Sequence, residues 1–380
     1  MRRTDSLQRI RERAETFIRE LEREPPPDAA LGWSCSYTPQ ELILAAGFTP
    51  VRIPTAGGSA QGGTPSYLPA NLCPYVHRLL RAGLSGELSR LRGSVLVESC
   101  DPMRRLADIW GLYTDPGFLY RLEVPRCDDE SAREFFRHIL RDFRRALEEL
   151  AGRSICASDL SRSIAVLNRT RRIMRELALM RAMPRPALTG AQFQRFALCA
   201  EVMSRERFNE MGADFLSRSR RDLLRECAAL PQTRGPRLLL AGCLVEDSGL
   251  QALIEDSGAR IVADDLCSGM RHFRTQVAEN GEPPLEALVF RYLHRLKCPR
   301  MQRRGDRVSN LVALAREHGC DGVIFHTLAF CDLHQMDLPA LQEELQKADI
   351  PCLPIEREEL TSRDSGQLRT RIQAFVELLG

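Results

Sequence analysis

The sequence contains no long run of apolar residues. None of its hydrophobic stretches approaches the roughly 20 residues that a membrane-spanning helix needs. The first ten residues carry arginines where a secretory signal has its apolar region. We therefore expect no membrane association and a cytoplasmic location.

Charge of one sign is also missing. The formal net charge of the 380 residues is +3, so the chain lacks the strongly basic surface that indicates a nucleic-acid partner. Lysine is nearly absent, because Lys297 and Lys347 are the only two and arginine supplies the remaining Lys+Arg total. Length and composition predict a soluble globular protein of two or three domains.

Three common nucleotide-binding and catalytic motifs are absent from the sequence. Gly242 and Gly249 follow an apolar strand but do not form G-x-G-x-x-G, so an ordinary strand–helix–strand unit is favoured over a nicotinamide site. The chain has no P-loop, which indicates that it does not hydrolyse ATP itself. It also has no G-x-S-x-G, which argues against a serine hydrolase.

Cysteine, in contrast, is abundant. The chain has thirteen cysteines, but the odd count, the length and the missing export signal argue against a disulfide scaffold. Most of them are expected to be small buried hydrophobes. The cysteines assigned to that role are Cys156, Cys199, Cys227, Cys243, Cys320 and Cys352.

Strand-like and helix-like apolar periodicities alternate in both halves of the chain. Such alternation is typical of a parallel sheet. The predicted fold class is α/β, with two Rossmann-like parallel-sheet domains joined by a helical segment. The predicted parts are an N-terminal helix (1–30), a first α/β domain (31–130), a helical bridging segment (131–235) and a second α/β domain (236–380).

Local signals refine this outline. Thr38 is predicted to be the N-cap of the first globular helix, with Pro39 in its first turn and Glu41 completing a capping box. A mobile glycine-rich loop is predicted over 57–63, and the periodicity predicts continuous helix over 190–229.

Three cysteines stand at the end of an extended apolar run or directly before a helix: Cys73, Cys100 and Cys331. An open α/β sheet binds ligands at the carboxyl ends of its strands. Thiolates gathered there could hold three corners of a [4Fe-4S] cluster and leave one iron free for substrate. Their wide spacing alone would equally suit three buried core cysteines.

Other residues near these positions are secondary candidates. Cys267 and Cys298 lie in loop-like segments and are possible additional ligands. Glu98, two residues before Cys100, is a candidate proton-transfer group at a strand end. His326 or His334 could complete a tetrahedral zinc site with the three cysteines.

The cysteine contexts resemble the 2-hydroxyacyl-CoA dehydratase family, which includes benzoyl-CoA reductase subunits and double-cubane-cluster proteins. Five segments carry the resemblance, in the order in which the family has them. They are LPANLCPYV (68–76), SCDPMRRLADIW (99–110), VADDLCSG (262–269), DGVI with FCD (321–324 and 330–332) and GQLRTRIQAF (366–375).

The resemblance implies a specific chemistry. Family members carry a [4Fe-4S] cluster on three cysteines, which correspond to Cys73, Cys100 and Cys331. An ATP-hydrolysing iron–sulfur activator protein delivers one electron, and a 2-hydroxyacyl-CoA then loses water through a ketyl radical. The implied partners are a homologous second subunit or a second copy of the chain, the activator and the acyl-CoA substrate.

Two further interpretations stay open at this point. In a double-cubane protein, Cys267 and Cys298 would help to hold a second cubane, as an [8Fe-9S] cluster, and the enzyme would be an ATP-dependent reductase. In the other interpretation, a non-catalytic protein of the same fold uses the thiols to bind zinc or a partner.

Overall fold

The computed structural model describes residues 6–25, 27–55, 67–115, 117–224, 234–295, 298–358 and 366–380. The predicted loop at 57–63 and Cys227 lie outside these residues. Within them the chain forms two four-stranded sheets, and every paired strand in both is parallel. This confirms the predicted α/β class with two Rossmann-like domains.

The first sheet has the strand order β2-β1-β3-β4. Its strands are β1 (Ala30–Trp33), β2 (Thr49–Arg52), β3 (Gly93–Val97) and β4 (Phe118–Leu122). The first half of the chain also forms helices α1 (Ser6–Arg23), α2 (Gln40–Ala45), α3 (Pro74–Leu84) and α4 (Asp101–Tyr113).

Four long helices follow the first sheet in sequence. They are α5 (Glu130–Ala151), α6 (Ala157–Ala182), α7 (Gly190–Val202) and α8 (Arg205–Leu224). Helix α6 packs against α2 of the first domain, and it also packs against the second sheet.

The second sheet repeats the order of the first, as β6-β5-β7-β8. Its strands are β5 (Arg237–Gly242), β6 (Arg260–Asp265), β7 (Gly322–Leu328) and β8 (Cys352–Arg357). The helices of this half are α9 (Gly249–Asp256), α10 (Met270–Phe273), α11 (Pro284–His294), α12 (Arg304–Glu317), α13 (Asp332–Lys347) and α14 (Gly366–Leu378).

The start, the end and the buried face of helix α5 each follow from identifiable residues. Asp129 caps it by accepting a hydrogen bond from the Ala132 backbone N–H at 2.8 Å, and Gly152 ends it with φ +65°. Phe136 and Phe143 lie on one helical face and are buried against the first sheet. Burial of each such ring contributes about 1.5–3 kcal/mol.

Helix α11 belongs to the second half of the chain but packs in the first core. Ala287, Leu288 and Tyr292 are buried in the same apolar cluster as Trp33 and Val95 of the first sheet. The domain boundaries drawn from the sequence remain a prediction.

The predicted capping box at Glu41 is wrong. Helix α2 begins at Gln40, its N-cap is Pro39, and no side chain caps it. The Glu41 carboxylate instead accepts hydrogen bonds from Arg171 at 2.5 Å and from the Tyr292 hydroxyl at 2.8 Å. An ion pair with buried Arg171 stabilises the Glu41 carboxylate more than a hydrogen bond from a backbone N–H would, because neither buried charge is hydrated.

The structure differs from the sequence prediction at two more places. The sequence pattern does not predict strand β1, because this strand is short, contains Gly32 and has no β-branched residue. The helix predicted over 190–229 is broken at Met203, where the backbone is extended, and α8 starts at Arg205. Positions 225–229 of that prediction lie outside the described residues.

Two buried ion pairs attach the sheets to the helical layer. Arg52 at the end of β2 binds Glu201 of α7 at 2.7 Å, and Asp264 near the end of β6 binds Arg181 of α6 at 2.8 Å. None of the described helices is long and apolar enough to cross a bilayer.

Candidate metal centre

A cavity of about 320 Å³ lies where the loops after the strands of both sheets meet. Ligand sites of open α/β sheets form at this end of the strands. Apolar side chains of Val76, Met103, Leu244 and Leu328 form part of its wall. Seven cysteines also line it: Cys35, Cys73, Cys100, Cys243, Cys267, Cys298 and Cys331.

The first domain contributes three of these thiols. Cys35 follows β1, Cys73 immediately precedes α3, and Cys100 lies between β3 and α4. Pro74 and Pro102 stand in the first turns of α3 and α4, as the sequence predicts.

The second domain contributes the other four. Cys243 follows β5, Cys267 follows β6, and Cys331 lies between β7 and α13, while Cys298 is in the segment after α11. The position just before Cys243 requires glycine. Gly242 has a φ of +124°, and a Cβ there would lie 1.9 Å from the His326 carbonyl oxygen.

The structure therefore brings together the cysteines that the sequence singled out. Cys73, Cys100 and Cys331 all line the cavity, and so do the secondary candidates Cys267 and Cys298. Whether they bind metal remains a prediction.

Sequence reasoning missed two cavity cysteines. Cys243, assigned to the core, is indeed buried, yet it also lines the cavity. Cys35 was not singled out at all. The available signal was position, since both follow the first strand of their sheet, but β1 had not been recognised.

Three thiols and one imidazole form one close group in the site. Cys331 Sγ lies 3.7 Å from Cys243 Sγ and 3.3 Å from His334 Nδ1. The ligand atoms of these three residues all fall within 4.8 Å of one another, as a shared metal ion requires. Hydrogen bonds from Cys243 and Cys73 lower the pKa of Cys331, and the same bond to Cys331 raises the pKa of Cys73.

A second group of thiols surrounds Cys267. A hydrogen bond from Cys298 and the charge of Arg271 lower the pKa of Cys267, while the bond to Cys267 raises the pKa of Cys298. Arg271 Nη1 donates to Cys267 Sγ at 3.3 Å. Burial raises the pKa of Cys35, and the charge of Cys267 acts in the same direction.

The donor set fits a sulfur-liganded metal cluster. Iron–sulfur clusters are held by thiolates, and two thiols, Cys267 and Cys331, already have pKa values well below the ordinary one. Burial raises the pKa of Cys100 to about 11, although the Met103 backbone N–H acts against this. A metal would displace that proton, because metal binding deprotonates cysteine.

The candidate acid Glu98 lies outside this wall. Its carboxylate binds Arg121 at 2.7 Å and Arg104 at 3.4 Å, and it is not among the residues lining the cavity. Its role in proton transfer remains a prediction.

The two histidines considered for zinc are placed differently. His334 lines the cavity, whereas His326 is fully buried within β7, and neither of its ring nitrogens has a hydrogen-bond partner among the described residues. Only His334 belongs to the close group with Cys243 and Cys331.

Fold and cavity together define a cysteine-rich protein of two α/β domains with its candidate site between them. The family model described as 2-hydroxyglutaryl-CoA dehydratase, D-component, matches residues 35–379. The chain belongs to this family, which confirms the resemblance seen in the sequence.

Characterised relatives are similar over nearly their whole length. The chain is 26% identical to the (R)-phenyllactyl-CoA dehydratase beta subunit of Clostridium sporogenes, with 92% of this chain and 91% of the relative covered. It is 26% identical to the (R)-2-hydroxyglutaryl-CoA dehydratase beta subunit of Acidaminococcus fermentans, with 92% of both chains covered. It is also 24% identical to a benzoyl-CoA reductase subunit of Thauera aromatica, covering 93% of this chain and 91% of the relative.

Proposed function

We propose that this chain is the iron–sulfur subunit of an enzyme of its family and holds its cluster on the cavity thiolates. The carrying observation is that seven cysteines line one cavity of about 320 Å³. A bound cluster would supply low-potential one-electron chemistry. The chain itself would supply thiolates, apolar walls that exclude water and the His334 imidazole beside Cys331.

The number of thiols favours the double-cubane interpretation. A cluster on Cys73, Cys100 and Cys331 uses three of the seven, which leaves four. Among those four, Cys267 shares a hydrogen bond with Cys298 and interacts electrostatically with Cys35. We therefore propose two ligand sets in one cavity, and with them an ATP-dependent reductase that receives electrons from a separate activator.

A 2-hydroxyacyl-CoA dehydratase is the second candidate. The names of two relatives favour it, since both are dehydratase beta subunits. This function needs only a [4Fe-4S] cluster on Cys73, Cys100 and Cys331, together with a homologous second subunit or a second copy of this chain, the activator and an acyl-CoA.

Iron and sulfide content of the anaerobically reconstituted chain separates these candidates. Two cubanes correspond to about eight irons per chain and one cubane to about four. For the double cubane we expect the Cys267→Ser/Cys298→Ser double variant to lose about half of the iron. Cys199→Ser is the matched control, because Cys199 is buried in the helical core and does not line the cavity.

Other outcomes would change the conclusion. About four irons, retained in the double variant, would support the dehydratase-type cluster. Water loss from a 2-hydroxyacyl-CoA with activator and second subunit present would then test that reaction. A colourless protein with zinc, lost in His334→Ala, would support the zinc site of Cys243, Cys331 and His334.

A further inference from the structure

Two arginines beside the cysteine cavity are buried and, within the described part of the chain, hydrogen-bonded only to neutral groups. Arg295 is 2% exposed and Arg300 is 3% exposed. Arg295 donates to the Ser36 carbonyl and hydroxyl and to the Arg271 carbonyl. Arg300 donates to the Pro125 carbonyl, the Val124 carbonyl and the Met301 sulfur.

Neither guanidinium has a carboxylate within ion-pair distance among the described residues. Some other buried arginines differ: Arg52 binds Glu201, Arg181 binds Asp264 and Arg271 binds Asp265. Arg205 and Arg291, which do not line the cavity, also donate only to neutral groups among the described residues. A buried ion without a counter-ion is strongly unfavourable, since its lost hydration is not replaced. What distinguishes Arg295 and Arg300 from Arg205 and Arg291 is their position beside the cavity thiols, which as thiolates can offset the positive charge.

Both cations are close to the second group of thiols. They lie over the ring of Tyr37, with guanidinium carbons 4.8 Å and 4.9 Å from its centroid. The Tyr37 hydroxyl accepts a hydrogen bond from the Cys298 backbone N–H at 3.5 Å. Arg300 also lines the cavity, and its charge acts on the Cys35 thiol.

The buried arginines in and beside the cavity wall outnumber their carboxylate partners. Arg52 and Arg271 are paired with Glu201 and Asp265, whereas Arg295 and Arg300 have no carboxylate partner among the described residues. Two positive charges are therefore not offset by carboxylates, and cavity cysteines, as thiolates, can supply the two negative charges.

Charged groups at the rim do not alter this balance. Asp101, Arg126 and Asp332 line the cavity but are exposed to solvent. Water and salt screen exposed charges far more than buried ones.

We infer that Arg295 and Arg300 are the counter-charges of an anionic thiolate-ligated cluster, which they help to retain and whose reduction potential they raise. This inference rests on the proposed function. Each thiolate brings one negative charge, and net charge is among the factors that set cluster potentials. Reduction adds further negative charge, so a nearby fixed cation stabilises the reduced state more than the oxidised one.

The test separates charge from shape. Arg295→Gln and Arg300→Gln remove the charge but keep an N–H donor, whereas Arg295→Lys and Arg300→Lys keep the charge but lose the planar fork. Each reconstituted variant is titrated anaerobically while the cluster EPR signal is followed, and its iron is counted. Arg181→Gln is the matched control, because Arg181 is equally buried but paired with Asp264 and away from this cavity.

We expect the Gln variants to shift to a lower potential or to lose iron, while the Lys variants and Arg181→Gln remain near wild type. Unchanged potential and full iron in both Gln variants would overturn the inference and leave the proposed function intact. Equal iron loss in Gln and Lys variants would assign these residues a role in shape alone and overturn it as well. A wild-type chain that binds no iron would overturn the proposed function, and this inference with it.

Discussion

The two α/β domains have the same strand order, and they place cysteines at corresponding positions. Cys35 follows the first strand of its sheet, as Cys243 does. Cys100 comes three residues after Val97, the last residue of β3, and Cys331 comes three residues after Leu328, the last residue of β7. The cavity is thus lined from both sides by equivalent loops, which explains how it collects so many thiols.

The domains differ in how their thiols interact. Cys331 of the second domain contacts Cys243 and His334 of the same domain. The first-domain residue three places after Cys100 is Met103, where the second domain has His334. The second domain therefore supplies a group of potential ligands that already contact one another, and the first domain adds further thiols from the opposite side of the cavity.

The largest expected effect comes from replacing each of the two equivalent cysteines, Cys331 and Cys100, by serine. Cys331→Ser removes the thiol that contacts both Cys243 and Cys73, so we expect loss of all the iron held by Cys73, Cys100 and Cys331, about half of the total. Cys100→Ser removes a thiol at the edge of that group, and we expect it to lose less iron than Cys331→Ser. Colorimetric iron per chain after desalting measures this, with Cys199→Ser as control. Equal losses in both would show that the domains contribute symmetrically.

The two ion pairs that attach the sheets should next be compared. Glu201→Gln and Asp264→Asn each leave a buried arginine unpaired, which costs about 3–5 kcal/mol of unfolding free energy. Urea denaturation followed by circular dichroism measures the loss, and Glu344→Gln, at an exposed pair with Lys347, should change nothing measurable.

Iron content distinguishes the same two variants. Arg52 lines the cavity and donates to the Cys267 carbonyl at 3.2 Å. We therefore expect Glu201→Gln to reduce iron retention and Asp264→Asn to leave it unchanged. Iron loss in the Asp264 variant would show that the second pair also supports the cavity.

The carboxyl group of Glu246 is hydrogen-bonded to Thr55 of the first domain, and its protonation makes the stability of the chain depend on pH. Burial raises its pKa to about 6, against the hydrogen bond from the Thr55 hydroxyl. The folded state therefore binds this proton more tightly than the unfolded state, so stability present below about pH 4.5 is lost as pH rises through about 6. Glu246→Gln should add about 2 kcal/mol at pH 7, at about 1.4 kcal/mol per pKa unit.

Urea midpoints between pH 4.5 and 7 measure this effect of Glu246. We expect the Glu246→Gln chain to lose less stability than wild type across that window. The exposed Glu87→Gln variant should follow wild type. Parallel curves for wild type and Glu246→Gln would contradict the buried, protonated carboxyl.

The smallest expected effect tests the residue that distinguishes the domains. His334→Met gives the second domain the side chain of the first and removes the contact with Cys331 Sγ. Loss of a group that supports a ligand typically weakens metal binding by about 10–100-fold. We expect an effect at the low end of this range, measured as a faster release of iron to a chelator. Complete loss of iron would instead make His334 itself a ligand, and Met103→His is the reciprocal variant.

Much of the fold followed from local patterns. The apolar faces of α5 and α6 and the buried runs of β3, β5 and β7 lie within a few residues of where periodicity predicts them. Strand β1 and the break at Met203 did not follow, because a four-residue strand has too little periodicity and an extended residue between two helices leaves the apolar spacing nearly intact.

By itself, the sequence determined the α/β class, the family and the choice of Cys73, Cys100 and Cys331, each directly before a helix, because these depend on short-range order along the chain. Only the tertiary structure decided that Cys35 and Cys243 join them and that Glu41 serves Arg171 rather than a helix cap. It also left Arg295 and Arg300 without carboxylates among the described residues. These outcomes depend on which residues, far apart in sequence, are buried next to one another, and local sequence patterns do not predict such contacts.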